Sequence, residues 1–194
     1  MNARTRTKRH AGQLGFGWDR PEPDPAPVIP TPPGIEPPLV ALGDCLDHLA
    51  AMGPGSVALA FLDAPTRTGS TGARLDWIRL RCWAFRRVLL ATGAFCLRCD
   101  DPADPHLAAM LGEVFGRGGP RWELDHARPT PAHLEEFVAA TTRPGDLVVD
   151  GSCRSGTALV AAIRLGRRAL GFDGSPGAVT FANRRIAAGV AARP

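Results

Sequence analysis

The chain has 194 residues, which fits a single globular domain with a tail. Its formal charge of +4 is concentrated: Arg4, Arg6, Lys8 and Arg9 open the chain without an acid, and the remaining 19 basic side chains balance 19 acidic ones. The body is therefore not a broadly basic nucleic-acid module, no run approaches the ~18–20 apolar residues of a membrane span, and the basic start lacks the apolar stretch of a secretory signal.

Nine prolines stand between Pro21 and Pro38, so residues 1–37 read as a basic, proline-rich tail or linker and residues 38–194 as a single domain. A short strand over 38–44 leads into a helix from Cys45 to Met52, and VALAFLDAP (57–65) has the continuous apolar run of a buried parallel strand. Leu75, Ile78, Cys82, Phe85 and Leu89 then mark one apolar helix face, with Arg79, Arg81, Arg86 and Arg87 off it on a solvated side. The strand GAFCLRC follows. Asp104-Pro105 and Thr130-Pro131 each open a helix, on either side of a strand at 121–128. Strand, helix and strand recur over 146–173, and Ser175-Pro176 caps a last helix. Such alternation implies an α/β, doubly wound, Rossmann-like fold: a mostly parallel sheet of the seven-strand type with helices on both faces.

The five cysteines (Cys45, Cys82, Cys96, Cys99, Cys153) are odd in number and scattered, which suits reduced thiols and a cytoplasmic location. Cys96 and Cys99 have metal-like spacing, but residues three apart on a strand face opposite sides, and no second pair completes a ligand set. No metal is expected. Trp77, Trp83 and Trp122 read as packing residues, and His106 and His133, near helix starts, as surface residues.

Doubly wound sheets bind ligands at the carboxyl ends of their strands, near the point where strand order reverses. Three predicted strands end in acids: Asp63, Asp150 and Asp173. The turn DGSCRSGTALV joins strand to helix in the manner of a nucleotide pocket, and Asp173, 17 residues beyond Gly156, is placed to receive a ribose diol. The pattern points to a nucleoside-containing cofactor; helix capping is the plain alternative reading of the same acids. A phosphate-binding P-loop is excluded, since no Gly-Lys-[Ser/Thr] follows the turn.

Several segments together resemble the permuted, beta-type DNA amino-methyltransferases, which methylate adenine N6 or cytosine N4. LGDCLDHLAAMGPGSVALAFLDAP is similar to their opening and catalytic segment, RRVLLATGAFCLRCDDPADPHLAAMLGEVF to their central strand and helix, and PGDLVVDGSCRSGTALVAAIRLGRRALGFDGSP to their cofactor segment. The resemblance runs from about residue 38 to the C-terminus, with the catalytic strand ahead of the cofactor strand. It implies S-adenosylmethionine as cofactor and DNA as partner. It further implies that Asp63 accepts a hydrogen bond from the target amino group, with Pro65 supporting the backbone. Asp44 and the adjoining Cys45 would lie at the adenine, Asp150 beside the methionine moiety, Ser155, Gly156 and Thr157 at the helix start facing its carboxylate, and Asp173 at the ribose.

The sequence also departs from the pattern. Asp63-Ala64-Pro65-Thr66 stands where the family has Asp-Pro-Pro-Tyr, and the chain contains no tyrosine, so the ring that stacks on a flipped base is missing. Gly151, Ser152 and Arg154 replace a proline, an aromatic and a glycine in the cofactor turn, so the Arg154 side chain has either to swing away or to fill the methionine subsite. Between Asp63 and Asp150 little chain is left for reading a DNA sequence. These departures imply a family member that is weakly active or inactive as it stands. The alternatives are a minimal active enzyme whose target recognition comes from a protein partner, and a methyltransferase retargeted to a non-DNA substrate.

Overall fold

A computed structural model of the chain describes residues 39–64, 71–101, 104–116, 118–126 and 129–191. Strands β1 (Leu39–Leu42), β2 (Val57–Asp63), β3 (Leu89–Cys99), β4 (Arg121–His126), β5 (Leu147–Asp150) and β6 (Arg168–Asp173) form one sheet. Helices α1 (Cys45–Ala51), α2 (Thr71–Val88), α3 (Pro105–Phe115), α4 (Pro131–Thr141) and α5 (Thr157–Arg164) connect them, and α6 (Pro176–Ala191) closes the series. The proline-rich tail, and Pro65 and Thr66 of the tetrad, lie outside the described residues.

The strand order is β1-β6-β5-β2-β3-β4 and every described pairing is parallel. The seven-strand expectation is corrected to six among the described residues, because the chain beyond β6 is spent on the 16-residue α6. From β2 the chain lays β3 and then β4 outward in one direction, whereas from β5 it lays β6 in the other. The order therefore reverses between β2 and β5, the place where such sheets open a crevice.

Alternation along the strands sorts the core into two layers. Ala60 and Leu62 of β2 pack with Leu49 of α1, Ile78, Cys82 and Phe85 of α2, and Leu107 and Leu111 of α3. Leu59 and Phe61 face the other way, onto Leu134 and Phe137 of α4, Leu159 of α5 and Ile186 of α6. α3 and α4 each bury one stripe, whereas α5 is buried continuously from Ala158 to Ile163 between its neighbours. Cys96 and Cys99 fall into different layers, as their spacing on one strand requires. Asp104 and Thr130 cap α3 and α4 as predicted, accepting from the backbone N–H of His106 and His133, with proline at the first helical turn. No described helix is long and apolar enough to cross a membrane.

Three expectations on α2 need correction. Leu89 does not continue the helix but begins β3, where it pairs with Val57. Arg81 does not share the solvated face on which Arg86 and Arg87 are exposed. Arg87 donates to the carbonyls of Met52 (2.9 Å) and Leu49, satisfying the open C-terminus of α1, and Arg81 is buried. Trp83 is 49% exposed instead of packed, whereas Trp77 and Trp122 lie against the core. Helix periodicity located the apolar stripe, but the flanking positions were decided by α1 packing alongside α2.

Candidate cofactor cleft at the strand carboxyl ends

Asp63 and Asp150 are the last residues of β2 and β5, the strands that flank the reversal, and Asp173 ends the neighbouring β6. The sequence-predicted acids are therefore neighbours along one sheet edge. Register then decides which way each points. Phe61 is paired with Asp150 on one side and Cys96 on the other, and Asp63 is paired with Arg98. Cross-strand partners share a face, so Asp63, Arg98 and Asp150 all project to the side covered by α4 and α5.

Arg98 joins the two acids. Its Nε donates to Oδ1 of Asp63 at 2.5 Å and its Nη2 to Oδ2 of Asp150 at 2.8 Å. The guanidinium also lies 5.1 Å from the Phe61 ring centroid, in reach of a cation–π contact. All three side chains are enclosed: 6% exposed for Arg98, 14% for Asp63 and 1% for Asp150. Ser152 closes the circuit. Its backbone N–H donates to Oδ1 of Asp150 (3.2 Å), and its hydroxyl oxygen accepts from the N–H of Asp63 (2.7 Å). The serine that replaces the family's aromatic thus ties the end of β2 to the turn after β5.

The electrostatics follow from this enclosure. Burial pushes the Asp63 carboxyl up, to about 6, with the Arg98 charge pulling it down and the Asp150 charge pushing the same way as burial. Asp63 is consequently ionised at neutral pH. Burial alone would lower the basicity of Arg98, but Asp150 and Asp63 outweigh it and hold the guanidinium more firmly charged than usual.

A cavity of about 290 Å³ opens beside this network, lined by Asp63, Arg98, Leu134, Arg154, Ser155 and Thr157 among others. That volume is at the small end for a ligand site. Thr157 opens α5, whose N-cap Gly156 has a left-handed backbone (φ 70°) and supplies no side-chain cap, so the first N–H groups of the helix keep no side-chain acceptor at the cap. A larger cavity of about 410 Å³ lies between α4, α5 and α6 and shares only Thr157 with these residues. It holds none of the strand-end acids, so the chemistry belongs to the smaller one.

The remaining predicted site residues are engaged by the fold. Asp173 accepts from the N–H of Arg154 through Oδ2 and from that of Ser175 through Oδ1, both at 2.9 Å, which braces the turn after β5. Asp44 caps α1 by accepting from Leu46 N–H (2.9 Å) and is ion-paired with Arg81, whose guanidinium stacks 3.7 Å from the Trp77 ring centroid. Cys45 is buried beside it, and burial pushes its thiol up to about 12, so it is no nucleophile. Ser155 and Thr157 share a hydroxyl–hydroxyl hydrogen bond (3.0 Å), and Arg185 donates to Thr157 at 2.8 Å.

Arg154 is exposed at the rim with φ 48°. That backbone conformation favours glycine, which accounts for the glycine of the family pattern. Arg98, and not Arg154, is the cation enclosed within the site. A signal for Arg98 was present in the sequence: a lone charge in the apolar run of GAFCLRC, which a buried strand accepts only if the charge is paired. Gly151 has a packing cause as well, since a Cβ there would stand 2.7 Å from the Phe85 ring.

No family profile matches the chain. Among curated proteins it is similar to the type II methyltransferase M2.DpnII of Streptococcus pneumoniae, 36% identical over 69 residues, which is 35% of this chain and 26% of that protein. The chain thus matches about a quarter of that relative's length. Among solved structures it is similar to TTHA0409 of Thermus thermophilus, described as a putative DNA modification methylase, at a TM-score of 0.65 and 19% identity over 80% of this chain and 96% of that one. The same protein has been solved with S-adenosyl-L-methionine. The cytosine-N4-specific PvuII DNA methyltransferase superposes at a TM-score of 0.58 with 16% identity, covering 78% of this chain and 90% of that one. At these identities the superpositions establish the fold.

Proposed function

From the premise that this chain is a relative of the DNA amino-methyltransferases, sharing their fold and a 69-residue stretch with one of them, we propose that its strand-end cleft takes the adenosyl cofactor of that family while transferring methyl groups to DNA weakly or not at all. The observation that carries this reading is the closed circuit of Asp63, Arg98, Asp150 and Ser152 beside the cleft. Asp63 stands where the family's acid would orient a target amino group, yet one of its oxygens is already committed to a buried guanidinium.

The residues fit part of S-adenosylmethionine. The start of α5 offers backbone N–H groups to a carboxylate, Ser155 and Thr157 offer hydroxyls, and Asp173 lies at the end of the adjoining strand. When bound, the cofactor supplies an electrophilic methyl group. The chain's own part would be to hold the adenosyl and amino-acid portions and to present Asp63 as hydrogen-bond acceptor toward an amino nitrogen. Two features weaken that second part: Arg98 competes for the acceptor, and Thr66 stands where the family's stacking tyrosine would be.

Calorimetric titration with S-adenosylhomocysteine and a radiolabelled methyl-transfer assay on mixed DNA test the proposal together. Micromolar binding with transfer at or near background is the expected result. Absence of binding would refute the cofactor assignment, and rapid transfer would refute the loss of activity. The acceptor proposed from the relatives is DNA; target recognition by a protein partner belongs to the alternative of a minimal active enzyme.

A further inference from the structure

The cavity of about 410 Å³ between α4, α5 and α6 is larger than the cofactor cleft and falls within the size range of small-molecule sites. Small side chains keep it open. Ala188 and Gly189 of α6 line it together with Val160 and Ala161 of α5, and even a Cβ on Gly189 would only reach ordinary contact with Val160, at 3.4 Å. Much of the lining is therefore apolar. Its charged groups are Arg164, Arg185 and Glu135. Glu135 is already paired with Arg164 at 3.3 Å, both side chains being open to solvent. One positive charge is left over, and it belongs to Arg185.

Arg185 is half-buried, and among the described residues it meets no carboxylate. Only its Nη1 is engaged, donating to two neutral oxygens: the Thr157 hydroxyl at 2.8 Å and the Ser155 carbonyl at 3.3 Å. These contacts hold the guanidinium at the cavity wall. Its Nε and Nη2 stay uncommitted, and they form the side of the fork that matches a carboxylate with two parallel hydrogen bonds. We infer that this cavity binds an organic acid, with an apolar body of one or two rings against Val160, Ala161, Ala188 and Gly189 and a single carboxylate on Arg185. The surplus of one positive charge suits a monoanion, whereas a second negative group would meet Glu135. The site is separate from the cofactor cleft, with which it shares only Thr157, and it does not rest on the adenosyl reading.

2-Naphthoate and 2-naphthamide are nearly the same shape and differ in charge, so they separate the apolar wall from the guanidinium. Calorimetric titration of the unmodified full-length chain should show 2-naphthoate binding at sub-millimolar concentration and 2-naphthamide at least about tenfold more weakly, the worth of one charge-assisted hydrogen bond. Arg185→Gln keeps a donor toward Thr157 and removes the charge. It should weaken 2-naphthoate about ten- to a hundredfold and leave 2-naphthamide nearly unchanged. Ala188→Trp fills the cavity from an exposed helix position and should abolish binding of both. Arg154→Gly, at the rim of the cofactor cleft, should alter neither.

Equal affinities for the acid and the amide, or no binding of the acid by the unmodified chain at millimolar concentration, would overturn the inference. So would an Arg185→Gln protein that folds and binds 2-naphthoate unchanged. Binding of the acid that survives Ala188→Trp, or that is lost in Arg154→Gly, would place it elsewhere on the molecule and overturn the inference equally. Should Arg185→Gln not fold, the acid–amide comparison and Ala188→Trp still decide the matter. None of these outcomes bears on the cofactor reading, which titration with S-adenosylhomocysteine decides by itself.

Discussion

Replacing Arg98 by methionine should expose how much of the fold's stability depends on a neutralised strand-end cluster. The substitution keeps an unbranched side chain of similar length and removes a charge that Asp63 and Asp150 each bind, at 2.5 and 2.8 Å. A hydrogen bond to a charged group contributes about 1.5–3 kcal/mol, and removing one partner of a buried ion pair costs about 3–5 kcal/mol, because the other charge is left uncompensated. With two acids orphaned, one of them 1% exposed, the upper part of that range applies. The sign of the pH dependence is fixed by the same cause. Asp63 already has a folded pKa of about 6, above its unfolded value of about 3.9, so its contribution to stability declines as pH rises between the two. Without Arg98 the Asp63 carboxyl loses the charge that pulls it down and moves further up, so the decline continues to higher pH. The stability gap between the two proteins should therefore be widest at pH 7.5 and narrow at pH 5, where the orphaned Asp63 takes up a proton. Urea unfolding at both values, followed by circular dichroism, measures it. A gap under about 1 kcal/mol at pH 7.5 would refute the reasoning, as would one unchanged at pH 5, since either result would mean that the carboxylates are solvated and do not depend on the guanidinium.

Gly151→Ala would put a Cβ 2.7 Å from the Phe85 ring and should cost about 1–3 kcal/mol through overpacking; adding Phe85→Leu should recover part of this, and a denaturant double-mutant cycle would show the coupling. Glu123 is pushed up to about 7, first by burial and then by the charge of Asp125, with His133 opposing. Its raised pKa makes it a liability once pH exceeds that value, so Glu123→Gln should melt higher than the parent at pH 8 and no higher at pH 4.5. Alkylation of the native protein at pH 8 should be slow at all five cysteines, which are buried with their thiol pKa values raised, and should become rapid in denaturant.

The order of elements was legible because period-two and period-3.6 apolar patterns follow directly from backbone geometry, and Asp-Pro and Thr-Pro signatures mark helix starts through local hydrogen bonds. The acids at the ends of β2, β5 and β6 were legible for the same reason: a continuous apolar run that stops at a carboxylate announces both the strand and its carboxyl end. What these local signals could not convey was register. Only the pairing of Asp63 with Arg98, and of Phe61 with Asp150 and Cys96, sets one arginine between two acids 35 and 52 residues away in sequence. Arg154, adjacent to the recognisable turn, looked like the disturbing charge, yet its φ of 48° and its exposure put it at the rim. Likewise Arg81 lies off the apolar stripe of α2 but is drawn in by Asp44 and buried. Local sequence determines where a charge sits along its own element; whether that charge meets water or a partner is decided by the element packed across from it.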